Sequence, residues 1–133
     1  MPAVKSNRPV NLPLDLVLAV NMRSPVAVAS ILHRISGIVV FLLIPFLLYI
    51  LQGSLASEES FNAIRDSVFG GIVGRLAVFV TLAGLVYHFF VGLKHLVMDF
   101  GVAEELESGR LFAKVVLAIA AAGIALSFVW VVL

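Results

Sequence analysis

The chain has no cysteine and little charge: charged residues make up 13% of its 133 positions. Without cysteine it cannot form a disulfide, nor by itself hold an iron–sulfur cluster or a thiolate-ligated zinc or haem. Any redox centre must use histidine or a partner. Nine Lys+Arg against eight Asp+Glu leave a formal charge of +1, so no broad basic field points to nucleic acid or to generic anionic-lipid binding. Nucleophile arrangements, paired carboxylates and a Gly-rich phosphate loop are also missing. Hydrolytic and phosphoryl chemistry is therefore not indicated.

What is present is hydrophobicity. Apolar residues make up 62% of the chain and its mean hydropathy is +1.14, whereas a soluble domain is nearer half apolar and a quarter charged. The composition is that of a membrane protein. Three spans of about 20 residues with short loops use nearly the whole length, so no separate soluble domain fits.

Charges punctuate the spans, because an ionised side chain at the bilayer centre costs at least ~2.5 kcal/mol. Uncharged runs lie at 35–57, 76–93 and 115–133. With the apolar pattern extended backward through Val26, they predict an all-α membrane protein of three transmembrane helices at about 26–52, 73–97 and 114–133, forming a single anchor domain over 1–133. Ser24-Pro25 suits the first helix start, with Ser capping free N–H groups and Pro in the first turn. Pro45 should bend this helix or need a neighbour to satisfy the freed carbonyl. The connections at 53–74 and 98–113 read as loops. The stretch 118–125 reads as a small-residue packing surface.

Orientation follows from Lys and Arg. With a cytoplasmic N-terminus, Lys5, Arg8, Arg23, Arg34, Lys94, Arg110 and Lys114 lie on or near the inner side, and only Arg65 and Arg75 outside. The C-terminus is then on the opposite side. The first twenty-odd residues lack the long apolar core of a signal peptide, carry Pro2, Pro9, Pro13 and Asp15, and are not Arg- and Ser-rich like a transit peptide. The expected location is a bacterial inner membrane in preference to a mitochondrial one.

Two polar stripes interrupt the apolar spans. Ser30, His33, Arg34 and Gly37 follow i, i+3, i+4, i+7 spacing and share one helix face. Arg34 can snorkel to the headgroups while Ser30 bonds back to its own helix. Alternatively, the stripe faces a ligand bearing a carbonyl or carboxylate, since intramembrane ionisable groups mark sites. Gly84, His88, Gly92 and His95 form the second stripe. His88 is either an interhelical hydrogen-bond partner or a functional histidine. The glycines one turn above and below it make room either for a flat macrocycle approaching an axial ligand or for close helix packing. His95 shares the face of His88 and cannot supply the opposite axial ligand of the same iron. Its expected partner is a propionate or a carboxylate such as Asp99 at i+4. In antiparallel helices the two stripes converge in one leaflet, offering residue types suited to a haem with its propionates pointing inward and to a quinone head group.

The run Ser30-Ile-Leu-His33-Arg34-Ile-Ser36-Gly37, preceded by Arg8-Pro9-Val-Asn-Leu, and the run His88-Phe-Phe-Val-Gly92-Leu-Lys94-His95-Leu-Val-Met-Asp99-Phe-Gly101 closely resemble the two signatures of the cytochrome b anchor subunit of succinate dehydrogenase. The resemblance covers almost the whole chain. It implies respiratory complex II, a heteromeric assembly in which this helix bundle joins three partners. A flavoprotein subunit with FAD oxidises succinate, an iron–sulfur subunit carries electrons, and a second small anchor subunit shares haem b and ubiquinone reduction. Carried over by residue, His88 matches the axial haem ligand, the second histidine coming from the other anchor. Ser30 and Arg34 match the quinone pocket; His33, Arg34 and His95 match the propionate neighbourhood. At Lys94 the family usually has Arg, and a point charge there replaces a planar fork. Two other readings compete: a haem-free structural anchor in which His88 only packs against a partner, and a small transporter component whose stripes line a path. The uncharged stretches after Gly37 and before Gly84 argue against a continuous path.

Overall fold

A computed structural model describes residues 14–133. The expectations for Lys5, Arg8, the Arg8-Pro9 segment and the opening prolines lie outside the described residues. Those residues form five helices: α1 (Leu14–Met22), α2 (Pro25–Ala56), α3 (Glu58–Phe69), α4 (Ile72–Asp99) and α5 (Leu106–Val132). Helices α2, α4 and α5 are long and apolar enough to cross a membrane. At 1.5 Å per residue, the 32 residues of α2 reach about 48 Å, beyond a hydrocarbon core of about 30 Å.

Helix α2 starts where Ser24-Pro25 predicts, but through its backbone. The Ser24 side chain makes no capping hydrogen bond, while the Val28 N–H donates to the Ser24 carbonyl at 3.0 Å. The helix runs unbroken through Pro45, which is exposed. Proline has no N–H, so the Phe41 carbonyl lacks its usual i+4 donor.

Both connections differ from the expected loops. Most of the first is α3, whose N-terminus is capped by the Ser57 hydroxyl accepting from the Ser60 N–H at 3.0 Å. Its inward residues are Ile64 and Val68, four apart on one face, with Glu59, Arg65 and Asp66 exposed. A charged helix of this kind cannot span, and its mixed composition hid its period from a search for apolar runs. Ile64 reaches so close to α2 that a Cβ on Gly53 would lie 2.7 Å from its Cγ1. The second connection shrinks to 100–105, because Leu106 to Ala113 continues α5 despite Glu107 and Arg110. Gly101, at φ +82°, and Ala103, at φ 59°, turn the chain there.

The core is thin. Ala29 from α2, Val91 from α4 and Val116 from α5 form it, with Tyr87, Phe90, Phe112 and Leu117 packed around them. Helix pairs approach on small residues, as membrane interfaces prefer. Of the stretch 118–125, Ala120 is fully buried and a Cβ on Gly123 would lie 2.8 Å from Val86 Cγ1 of α4, but Ala118, Ala121, Ala122 and Ala125 are exposed. The small-residue surface is thus narrower than expected, because only residues three or four apart can face α4. At the α3 end, Arg75 donates to the Phe69 carbonyl at 2.8 Å and to the Val132 carbonyl at 3.5 Å. A cation there also suits the negative ends of α3 and α5.

Gly123→Leu should destabilise the bundle by about 1–3 kcal/mol through overpacking against Val86. Gly71→Ala, whose Cβ would meet nothing within 4 Å, should stay within about 0.5 kcal/mol. Thermal unfolding of the detergent-purified protein checks both; equal stability of the two variants would contradict the α4–α5 contact.

Candidate functional site

Helices α2 and α4 bring the two polar stripes together. The His33 ring stacks on His88 with centroids 4.1 Å apart and planes 11° from parallel. It also tilts against His95, at 5.4 Å and 54°. His88 and His95 are two helical turns apart, about 10 Å along α4, so His33 of α2 enters between them. The convergence expected from antiparallel helices is therefore present.

Polar contacts fix the crossing. His88 Nδ1 lies 3.2 Å from Ser36 Oγ and 3.2 Å from the His33 carbonyl oxygen, and the Ser36 hydroxyl donates to that same carbonyl at 2.8 Å. Tyr87 Oη donates across to the Ala29 carbonyl at 3.2 Å. Sequence reasoning singled out neither Ser36 nor Tyr87. The signal for Ser36 was its place one turn after His33 on the same face; Tyr87 gave none beyond adjoining His88.

Of the two readings open for Gly84 and Gly92, room for a macrocycle or close helix packing, the contacts observed are those of packing against α2. A Cβ on Gly84 would lie 3.2 Å from Val40 Cγ2, and one on Gly92 would lie 3.2 Å from His33 Nε2. Both face α2, so the first serves helix packing and the second admits the His33 ring. Room at His88 comes from Gly37, where a Cβ would lie 3.0 Å from His88 Cε1.

Among the described residues, open grooves surround this cluster. Ser30, His33, Arg34, His88, Gly92 and His95 line one of about 480 Å³. His33, Arg34, Gly37, Phe41 and His88 line another of about 490 Å³. A third, of about 560 Å³, adjoins them beyond His95 and holds Ser30, Lys94, Asp99, Glu104 and Glu105. The Ser30 hydroxyl makes no hydrogen bond among the described residues, so the back-bonded alternative is not observed, and the side chain lines two of these grooves. Arg34 is exposed, with no hydrogen bond or ion pair among the described residues. His95 forms neither with Asp99, contrary to the i+4 expectation; its ring is taken up by His33. Among the described residues, two side-chain polar atoms are buried without a hydrogen bond: His33 Nε2 and Lys94 Nζ. Lys94 is only 1% exposed, so the cation expected at the inner side lies inside the bundle. Such atoms are costly unless a partner reaches them.

The arrangement offers a half-buried imidazole backed by acceptors, a second imidazole with an unsatisfied nitrogen, a free hydroxyl and an exposed guanidinium. These groups can ligate a metal through nitrogen and hold an anionic or carbonyl-bearing ligand.

Residues 5–127 match the succinate dehydrogenase/fumarate reductase transmembrane subunit family. A succinate dehydrogenase cytochrome b556 subunit of Coxiella burnetii (strain RSA 493 / Nine Mile phase I) is 37% identical over 128 residues, covering 96% of this chain and 99% of that protein. A succinate dehydrogenase cytochrome b560 subunit of Reclinomonas americana is 31% identical over 118 residues, covering 86% of this chain and 82% of its own.

The α2–α4 register can be read by cross-linking, since the chain has no cysteine of its own. Val40→Cys combined with Gly84→Cys should form an intramolecular disulfide on mild oxidation, because a Cβ at 84 would lie 3.2 Å from Val40 Cγ2. Phe41→Cys with Gly84→Cys should not, Phe41 being exposed one residue round the helix. Loss of maleimide labelling in the first pair alone is the expected result.

Proposed function

The chain belongs to the succinate dehydrogenase/fumarate reductase transmembrane subunit family, as a succinate dehydrogenase membrane anchor, and from that premise we propose that it holds haem b jointly with a second anchor subunit and forms one wall of the ubiquinone-reduction site. The observation that carries this reading is the gathering of Ser30, His33, Arg34, His88 and His95 on one open groove within an otherwise apolar bundle. The names of both relatives, cytochrome b subunits, support the haem.

The residues fit that group chemically. His88 is tethered through Nδ1 and has no hydrogen bond at Nε2 among the described residues, the state of an imidazole ready to ligate iron. Gly37 leaves the ring room. The unsatisfied His33 Nε2, with Arg34 and His95 beside it, suits propionate carboxylates. When bound, the haem supplies a one-electron centre next to the quinone pocket. His33 is stacked flat on His88 and His95 shares the His88 face of α4, so from this chain His88 would hold the haem, and a histidine of the second anchor subunit would complete the site, as membership of the family implies.

For the quinone, Ser30 donates its free hydroxyl to a carbonyl oxygen. Arg34 stabilises the negative charge that develops on that oxygen during reduction, and water or nearby acidic groups deliver the protons. The partner flavoprotein and iron–sulfur subunits would hold the FAD and the clusters that supply the electrons. The polar cluster lies at the end of the bundle where α2 begins, and the excess of Lys and Arg favours the cytoplasmic side for that end. The bacterial source of the 37% identical relative favours a bacterial inner membrane. A transporter path is not supported: at the other end, the cavity of about 210 Å³ between α2, α3 and α4 is lined by Phe46, Leu47, Ile50, Ile64 and Val68, with no ionisable group.

A reduced-minus-oxidised visible spectrum of the detergent-purified complex, followed on succinate addition, tests the reading. The wild type should show a b-type signal, and His88→Ala should lose its normal low-spin form; an unaltered signal in that variant places the ligand elsewhere. Arg34→Ala should lower quinone reduction by about 10²-fold, the scale of one lost charge-stabilising donor, with the four subunits still co-purifying. Unchanged turnover would remove Arg34 from the site.

A further inference from the structure

Two polar groups meet at His88 Nδ1, and their chemistry decides where the imidazole proton sits. The His33 carbonyl oxygen, 3.2 Å away, can only accept. Ser36 Oγ, also 3.2 Å away, has one hydrogen, and that hydrogen is committed to the same carbonyl at 2.8 Å. Toward His88, Ser36 is therefore an acceptor as well. Both neighbours require a proton on Nδ1.

We infer that Ser36, together with the His33 carbonyl, is a positioning device that holds His88 as its Nδ1–H tautomer and fixes its ring plane, leaving the Nε2 lone pair as the atom offered to iron. The inference rests on the proposed role of His88 as haem ligand. It adds a residue that acts through its contact with His88.

The surroundings are built for this. Ser36 is 8% exposed, so water does not compete for its hydroxyl. It stands one turn after His33, which lets one side chain reach both its own helix carbonyl and the facing imidazole. Gly37 follows it, and any larger residue there would push against His88 Cε1 at 3.0 Å. A ligating histidine whose second nitrogen donates to acceptors is more basic and more firmly oriented. A more basic ligand favours the ferric state, so the Ser36 contact lowers the haem potential. Alanine at 36 leaves Nδ1–H with the carbonyl alone and the ring free to turn; threonine keeps the hydroxyl and can make the same back-bond to its helix.

The test uses the intact detergent-purified complex carrying Ser36→Ala, Ser36→Thr or His88→Ala, with the haem midpoint potential read by redox titration and the ligand-plane geometry by the ferric low-spin EPR signal. Ser36→Ala should shift the midpoint upward and move the EPR signal, and Ser36→Thr should return both toward the wild type. A Ser36→Ala complex with a midpoint unchanged or lowered, or with an unmoved EPR signal, overturns the inference. Loss of haem from Ser36→Ala supports it if Ser36→Thr retains haem, and overturns it if both lose haem. His88→Ala separates the two levels: if it keeps the native low-spin signal, the ligand assignment itself fails, whereas if it loses that signal while Ser36→Ala behaves as wild type, only the role of Ser36 fails.

Discussion

The constraint on which this molecule depends is that a polar atom inside a bilayer has no water to bind, so its partner must come from the protein or a ligand. The contact of His88 Nδ1 with Ser36 and the His33 carbonyl answers that constraint within the chain. It also ties α4 to α2 at the depth where the polar residues collect. The Tyr87 hydroxyl on the Ala29 carbonyl does the same one residue away. These bonds set the register of two otherwise apolar helices, and the register brings three imidazoles into contact. Among the described residues, the buried side-chain atoms left unsatisfied are His33 Nε2 and Lys94 Nζ, and both border the grooves on which the proposed cofactor and quinone sites rest.

Close approach is possible because the crossing surfaces are small. Ala29, Ala113 and Ala120 are fully buried, and Gly37, Gly84, Gly92 and Gly123 stand where a Cβ would press on the facing helix. The large residues lie outward instead, Phe41, Leu42 and Trp130 among them. In lipid this costs nothing, since acyl chains are as apolar as Leu. The exposed side of α2 also leaves Arg34 and one side of His88 uncovered, which is what the proposed sharing of sites with neighbouring subunits requires.

Much of the architecture was legible in the sequence. The uncharged runs located the long helices because ionised groups are excluded from hydrocarbon, and the i, i+3, i+4, i+7 spacing of Ser30, His33, Arg34 and Gly37 placed them on one face. The same rule hid α3: Glu59, Arg65 and Asp66 alternate with Ile64 and Val68, so no apolar run marks it. It hid the first turns of α5 too, where Glu107 and Arg110 looked like loop residues. At the site, the types of residue were legible but their pairings were not. Asp99 is correctly spaced for His95 along one helix, yet the ring instead meets His33 of another. Gly84 and Gly92 flank His88 in sequence, but which helix they face depends on where α2 crosses.

Composition, charge placement and periodicity determined by themselves a three-span membrane protein with two polar stripes on its helices, because those features follow from the bilayer as solvent and from the 3.6-residue turn. Only tertiary structure decided that His33 enters between His88 and His95, that Gly37 rather than its α4 counterparts makes room at His88, that Lys94 is enclosed, and that Ser36 meets the imidazole. Each of these is an interaction between helices, fixed by the rotation and register of α2 against α4, and no spacing along a single helix contains that information.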